Sequence, residues 1–122
     1  MPLFLNLNDN NALLASNQTR YVMLYYTQLI FIREGQADTF HAFEDQVLPL
    51  LQHHNGTLVL RVRPVASSIL ITTLENPYEI HLVSFGSRAD FEAYRDDPQR
   101  LQHIPLKDQS VDRIVLIEGR LL

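Results

Sequence analysis

At 122 residues, with 46% hydrophobic and 20% charged, the chain has the size and balance of one folded domain rather than a disordered segment. Its net charge of −4 argues against nucleic acid or an anionic membrane surface as a partner, since both are met by a basic face. The absence of cysteine removes disulfides, thiolate metal sites and a cysteine nucleophile.

Residues 1–20 carry an Asn-rich patch (Asn6, Asn8, Asn10, Asn11) and two short apolar pieces, Leu3–Leu5 and Ala12–Ala15, and are read as an arm preceding a domain over 21–122. They have no basic n-region and no long apolar run, so neither a signal peptide nor a membrane span is expected, and the cytoplasm is the expected location. Tyr21–Ile32, rich in Tyr, Val, Ile and Phe, predicts a strand. Both of its faces are apolar, which implies cover on both sides: helices on one, a second subunit on the other.

Gln36–His54 reads as a helix, with Phe40, Phe43, Val47, Leu50, Leu51 and His54 on one stripe. Pro49 predicts a kink or break near Asp45–Pro49. Asn55-Gly56 supplies the stop, with Gly56 expected in the left-handed position.

A second strand is expected over Thr57–Val65, with Leu58, Leu60 and Val62 on one face and Val59, Arg61 and Arg63 on the other. Within the connection Ala66–Pro77, Ile69–Thr73 could extend the hairpin. Tyr78–Phe85 reads as a third strand, and Ser87 as the N-cap of a helix carrying Ala89, Phe91, Ala93 and Tyr94. Asp97-Pro98 interrupts that helix, Pro98 starts a short one through His103, and Pro105 is expected to end it. Val111–Glu118 is the last strand. The order β-α-β-β-α-β is the split pattern of the α+β ferredoxin-like fold: a four-stranded antiparallel sheet with helices on one face.

The run Phe40–Phe43, Val47-Leu48-Pro49-Leu50-Leu51, Asn55-Gly56, Leu58-Val59-Leu60-Arg61, followed by Glu79–Phe85, Gly86-Ser87, Ala93-Tyr94, Asp97-Pro98 and Glu118-Gly119, resembles the family known as domain of unknown function 1330. The likeness spans about residues 21–119, with Asn55 in place of a glycine and Gly86 in place of a proline. It implies a dimeric α+β barrel, hence a homodimer, and aligns Arg61 and Tyr94 with an arginine and a tyrosine of that family. The wider superfamily holds cofactor-free monooxygenases, lactone isomerases, haem-degrading enzymes and plain ligand binders, so fold does not decide function.

Several side chains could carry chemistry. Glu44 sits beside the apolar stripe, where a carboxyl group has a raised pKa suited to a general acid or base, unless it reaches solvent at the stripe's edge. His81, mid-strand among apolar residues, could move a proton or bind a metal, or serve as a hydrogen-bonded interior or dimer-interface histidine. Arg61 and Arg63 share a strand face and could bind an anionic group, or pair with Glu79 or aspartates. Tyr94, with Tyr25, Tyr26 and Phe91, could line a pocket or simply be core.

His41, His53, His54, His81 and His103 show no metal-ligand spacing, so no metal is expected, and haem through His41 or His81 has no motif behind it. The four dispersed glycines exclude a phosphate-cradling loop, and no cofactor is expected. Ser67, Ser68 and Ser87 lack a nucleophile context. The leading expectation is cofactor-independent proton transfer on an anionic or carbonyl substrate. Glu44 or His81 would act as acid or base, and Arg61, Arg63 and Tyr94 would bind the substrate. Alternatives are a non-catalytic metabolite-binding or structural dimer and a monooxygenase-like or haem-degrading relative.

Overall fold

A computed structural model describes residues 23–122; the arm lies outside them, as do Tyr21 and Val22 of the expected first strand. In chain order the described elements are β1 (Leu24–Ile32), α1 (Ala37–Val47), a 3-10 helix (Leu48–His54), β2 (Gly56–Val62), a short 3-10 turn (Ala66–Ser68), β3 (Glu79–Phe85), α2 (Arg88–Arg95), α3 (Pro98–Leu101), α4 (Ile104–Ser110) and β4 (Val111–Gly119). The four strands form one antiparallel sheet in the order β2-β3-β1-β4, with the first and third strands central. This is the ferredoxin-like arrangement.

The breakers act where steric rules put them, with three differences from expectation. Pro49 ends α1 after Val47 and occupies the first turn of the 3-10 helix, where a missing N–H costs nothing. The left-handed residue is Asn55 (φ 55°), not Gly56; asparagine tolerates this region better than other side chains. Gly56 is needed for space instead. A Cβ there would lie 2.7 Å from Phe85 Cε1 and 3.0 Å from the Leu51 carbonyl oxygen. Pro105 opens α4 in its first turn rather than ending a helix, and α3 stops at Leu101. Ser87 caps α2 as expected, accepting from the Asp90 amide at 3.1 Å.

The second strand is irregular. Its register against β3 shifts between Leu58 and Leu60: Leu58 lies opposite Val83, but Leu60 lies opposite Leu82 and Arg61 opposite His81. Val59 is the extra residue of a β-bulge. Leu58 therefore faces the helices, whereas Leu60 and Val62 join Leu82 and Ile80 on the open face, and the expected common face of Leu58, Leu60 and Val62 is divided. Ile69–Thr73 does not extend the hairpin; it belongs to an irregular connection whose Leu70 and Ile71 are almost fully exposed.

Under the helices the core falls into two clusters. One is Leu24, Tyr26, Leu51, Val83 and Phe85 with Phe91 and Tyr94 against it; the other is Ile30, Phe40 and Val111. Tyr26 stacks on Phe91 at 4.3 Å between ring centres, and Phe85 packs edge-on to both rings. The opposite face of the sheet carries Leu29, Phe31, Leu60, Val62, Ile80, Leu82, Val115 and Ile117, with Leu60 and Ile117 about half exposed.

Gly56→Ala is expected to destabilise the fold by about 1–3 kcal/mol, because the added methyl group meets backbone at Leu51 as well as the Phe85 ring. Asn55→Gly, which keeps the left-handed turn available, should stay within about 0.5 kcal/mol of the parent. Urea midpoints of the two variants provide the check.

Candidate functional site

Between the two apolar clusters lies a buried polar group. Glu79 and His81, two apart on β3, project to the helix side of the sheet, where both are almost fully buried. Arg61 reaches the same side from β2, because the bulge sets it opposite His81. Glu44 arrives from above, on the buried face of α1 with Phe40, Phe43 and Val47.

Glu79 is the hub. Its Oε1 accepts from Arg61 Nε at 2.9 Å and from His81 Nε2 at 2.7 Å; its Oε2 accepts from Arg63 Nε at 3.0 Å and Nη2 at 2.5 Å. Burial alone would raise its pKa, but the bonds from Arg61, His81 and Arg63 outweigh burial and hold the carboxyl below the usual range. An ionised Glu79 calls for a donor at His81 Nε2, so that nitrogen carries the proton. Burial keeps the imidazole neutral by lowering its pKa, against the opposing pull of Glu79.

Glu44 has the opposite electrostatics. Burial first, then the nearby charge of Glu79, push its pKa from 4.5 to about 7, against the pull of Arg61 and Arg100. Its Oε2 stands 3.3 Å from His81 Nε2. A single N–H cannot serve two carboxyl groups fully, and the shorter bond to Glu79 takes it. Glu44 is left as the titratable group beside a partly enclosed cavity of about 50 Å³, lined also by Tyr26, Gln28, His81, Tyr94 and Arg100.

The expected site residues thus divide. Glu44, His81 and Tyr94 line the cavity, whereas Arg61 and Arg63 are held by Glu79. The Tyr94 hydroxyl donates to the Val47 carbonyl at 3.2 Å, bracing α2 against the end of α1, and its burial raises the phenol's pKa. Two participants are not among the expected site residues, Glu79 figuring there only as an alternative partner for the arginines. Glu79 is the partner of both arginines, and the spacing Arg61-x-Arg63 against Glu79-x-His81 on adjoining strands is the signal for it. Arg100, on the four-residue helix α3 between two prolines, follows no pattern at all.

The remaining histidines sit elsewhere. His54 bonds Asp97 at 2.7 Å, and His41 bonds the Tyr78 hydroxyl at 2.6 Å. Glu44, Glu79 and His81 do bring three potential metal-ligand atoms within 4.8 Å of one another. Both oxygens of Glu79 are taken by guanidinium groups, however, so positive charge is already supplied there and a divalent cation would have to displace it.

No protein-family model matches the chain, and no curated protein is similar to it. Solved structures are. A protein of unknown function from Rhodopseudomonas palustris matches with a TM-score of 0.72 at 16% identity, over 84% of this chain and 85% of that one. A DABB-family protein with a ferredoxin-like fold from Mesorhizobium loti matches with a TM-score of 0.60 at 14% identity, over 83% and 98%. A dimeric ferredoxin-like protein of unknown function from Thermobifida fusca matches with a TM-score of 0.63 at 11% identity, over 86% and 97%. These likenesses establish a shared fold. No helix among the described residues is long and apolar enough to cross a membrane.

The opposed carboxyls make stability a function of pH. Glu44 is raised in the folded state, so its favourable state is the protonated one. The folded protein binds the extra proton between pH 4.5 and about 7, and stability falls as pH rises through that window, by about 3 kcal/mol at most. His81, depressed, works in the other direction, losing stability as pH falls below 6.5. Comparison with Glu44→Gln cancels the histidine. The variant is expected to lack the decline and to be the more stable protein at pH 8, as urea unfolding from pH 4 to 8 would measure. Glu79→Gln removes the hub's charge and should cost about 2 kcal/mol, lowering Tm by several degrees at neutral pH.

Proposed function

We propose that the chain is a cofactor-independent proton-transfer enzyme acting on a small carbonyl-bearing or anionic molecule, built as a homodimer through the open face of its sheet. The observation that carries the catalytic part is Glu44: 4% exposed, its pKa pushed to about 7, and set beside a cavity. A carboxyl poised near neutrality serves as general base and general acid in turn. Glu44 would take a proton from carbon next to a carbonyl group. The C–H pair moves into the carbonyl as an enolate, and Glu44, after its proton exchanges with solvent, returns a proton to carbon or oxygen. His81, its single N–H given to Glu79, has no donor left for an oxyanion and would serve only to hold Glu44 in place beside the cavity.

One observation favours a second, non-catalytic reading. Arg61 and Arg63, which could have held a substrate, are bound to Glu79. In that reading the polar hub is structural and the cavity only stores a metabolite. The kinship with the domain of unknown function 1330 family, suggested by the motif order, is compatible with either.

Proton exchange separates the two. Small ketones and oxo acids in D2O, followed by proton NMR, should lose their α-hydrogen signals faster with the protein present. Glu44→Gln should reduce that rate by about 10²–10⁴-fold. If no compound exchanges faster with the parent protein than with the variant, the storage reading replaces the catalytic one.

The homodimer rests on the apolar open face, where Leu60, Val62 and Ile117 stand exposed on a sheet already covered on its other side. Light scattering is expected to give about twice the 14.1 kDa chain mass, and Leu60→Glu to return the monomer with its helical signal intact.

A further inference from the structure

The cavity holds a second ionic group that the chemistry of Glu44 does not use. Arg100 lines it too, with its guanidinium 5.1 Å from the Tyr94 ring centre and 5.9 Å from that of Phe43. Its Nη1 donates to the Arg95 carbonyl at 3.0 Å, which fixes the side chain. Its Nε is buried and, alone among the buried side-chain nitrogens and oxygens of the described residues, has no hydrogen-bond partner. A buried N–H left unpaired is costly, and a cationic one more so. The edge formed by Nε and Nη2 is the fork that matches a carboxylate with two parallel bonds. The acidic residues near it do not fill that role: Asp96 is bound by Arg95, Asp97 by His54 and the Gln99 amide, and Glu44 faces His81.

Size narrows the occupant. One water needs roughly 10–15 Å³ of such space, so about 50 Å³ corresponds to three or four waters, or roughly four to six non-hydrogen atoms.

We propose that Arg100 is the carboxylate anchor of this cavity and that the molecule it holds is a short oxo acid. The oxo group rests on the proton-transfer reading of Glu44; the anchor does not. With the carboxylate on Arg100 and the aromatic walls of Phe43 and Tyr94 beside it, the acidic C–H lies toward Glu44. Arg100 is then a binding residue that selects acids over neutral ketones.

The test uses the full chain, nitrogen-15 labelled, titrated with propionate, pyruvate and the uncharged propionamide. The Arg100 Nε–Hε resonance is expected to move saturably with propionate and pyruvate and to stay in place with propionamide. R100Q should weaken propionate at least tenfold, and R100K, which keeps charge without the fork, should recover part of the loss; the amide spectrum reports whether each variant is folded. E44Q, which removes a carboxyl charge from the cavity, should bind propionate at least as tightly as the parent. An unmoved Arg100 resonance, an equal response to propionamide, or unchanged propionate affinity in R100Q overturns the proposal, whatever the exchange experiment gives. Saturable binding through Arg100 without exchange of the pyruvate methyl hydrogens would leave the anchor standing and remove the proton-transfer reading instead.

Discussion

One carboxylate organises this protein. Glu79 is withdrawn from water beneath the helices, and a buried anion is tolerable only if its charge and lone pairs are met. Two guanidinium groups and an imidazole meet them. Because these donors come from β2 and β3, the same interaction ties the edge strand to its neighbour, orients His81 and decides which of its nitrogens is protonated. Arg61 and Arg63 keep partial contact with solvent, so the ion group is closed from within and wet at its rim.

Glu44 follows from that arrangement. Two carboxyl groups at one imidazole nitrogen cannot both be ionised cheaply, and the arginines settle which one is. The negative charge thus fixed on Glu79 makes charge on Glu44 more costly, against the pull of Arg61 and Arg100. The apolar walls from both core clusters add the desolvation that dominates the shift. The chemistry available at the cavity is therefore a by-product of how the strand pair is stabilised, with one acid spent on structure and the other left to titrate.

Much of this could be read from residue order alone, where local rules govern. The β-α-β-β-α-β succession, the break at Pro49 and the Ser87 cap depend on backbone sterics and nearest neighbours. Glu44 could be singled out because a helical stripe shows its apolar neighbours. What depends on pairing across the chain was not legible. That Glu79 rather than a ligand takes Arg61 and Arg63 is a matter of strand register, and register here is altered by a bulge that no residue type announces. Pro105 can begin a helix as readily as end one, and the choice falls to the packing of α4 on α1. Arg100 lies on a helix too short to show a period, so its approach to the cavity is a purely tertiary fact.

The bulge at Val59 has a larger reach than its single residue suggests. Along a strand, side chains alternate like odd and even numbers, and one extra residue changes the parity of everything after it. Counted by strict alternation through Val59, Arg61 and Arg63 would fall on the open face and Leu60 and Val62 beneath the helices. The sheet would then offer two cations to an apolar surface and leave Glu79 with no counter-charge. Charge and grease are thus sorted to opposite sides of β2 by a counting error built into the strand. The same chain paired regularly through Val59, with no bulge, would write the same letters onto the wrong faces.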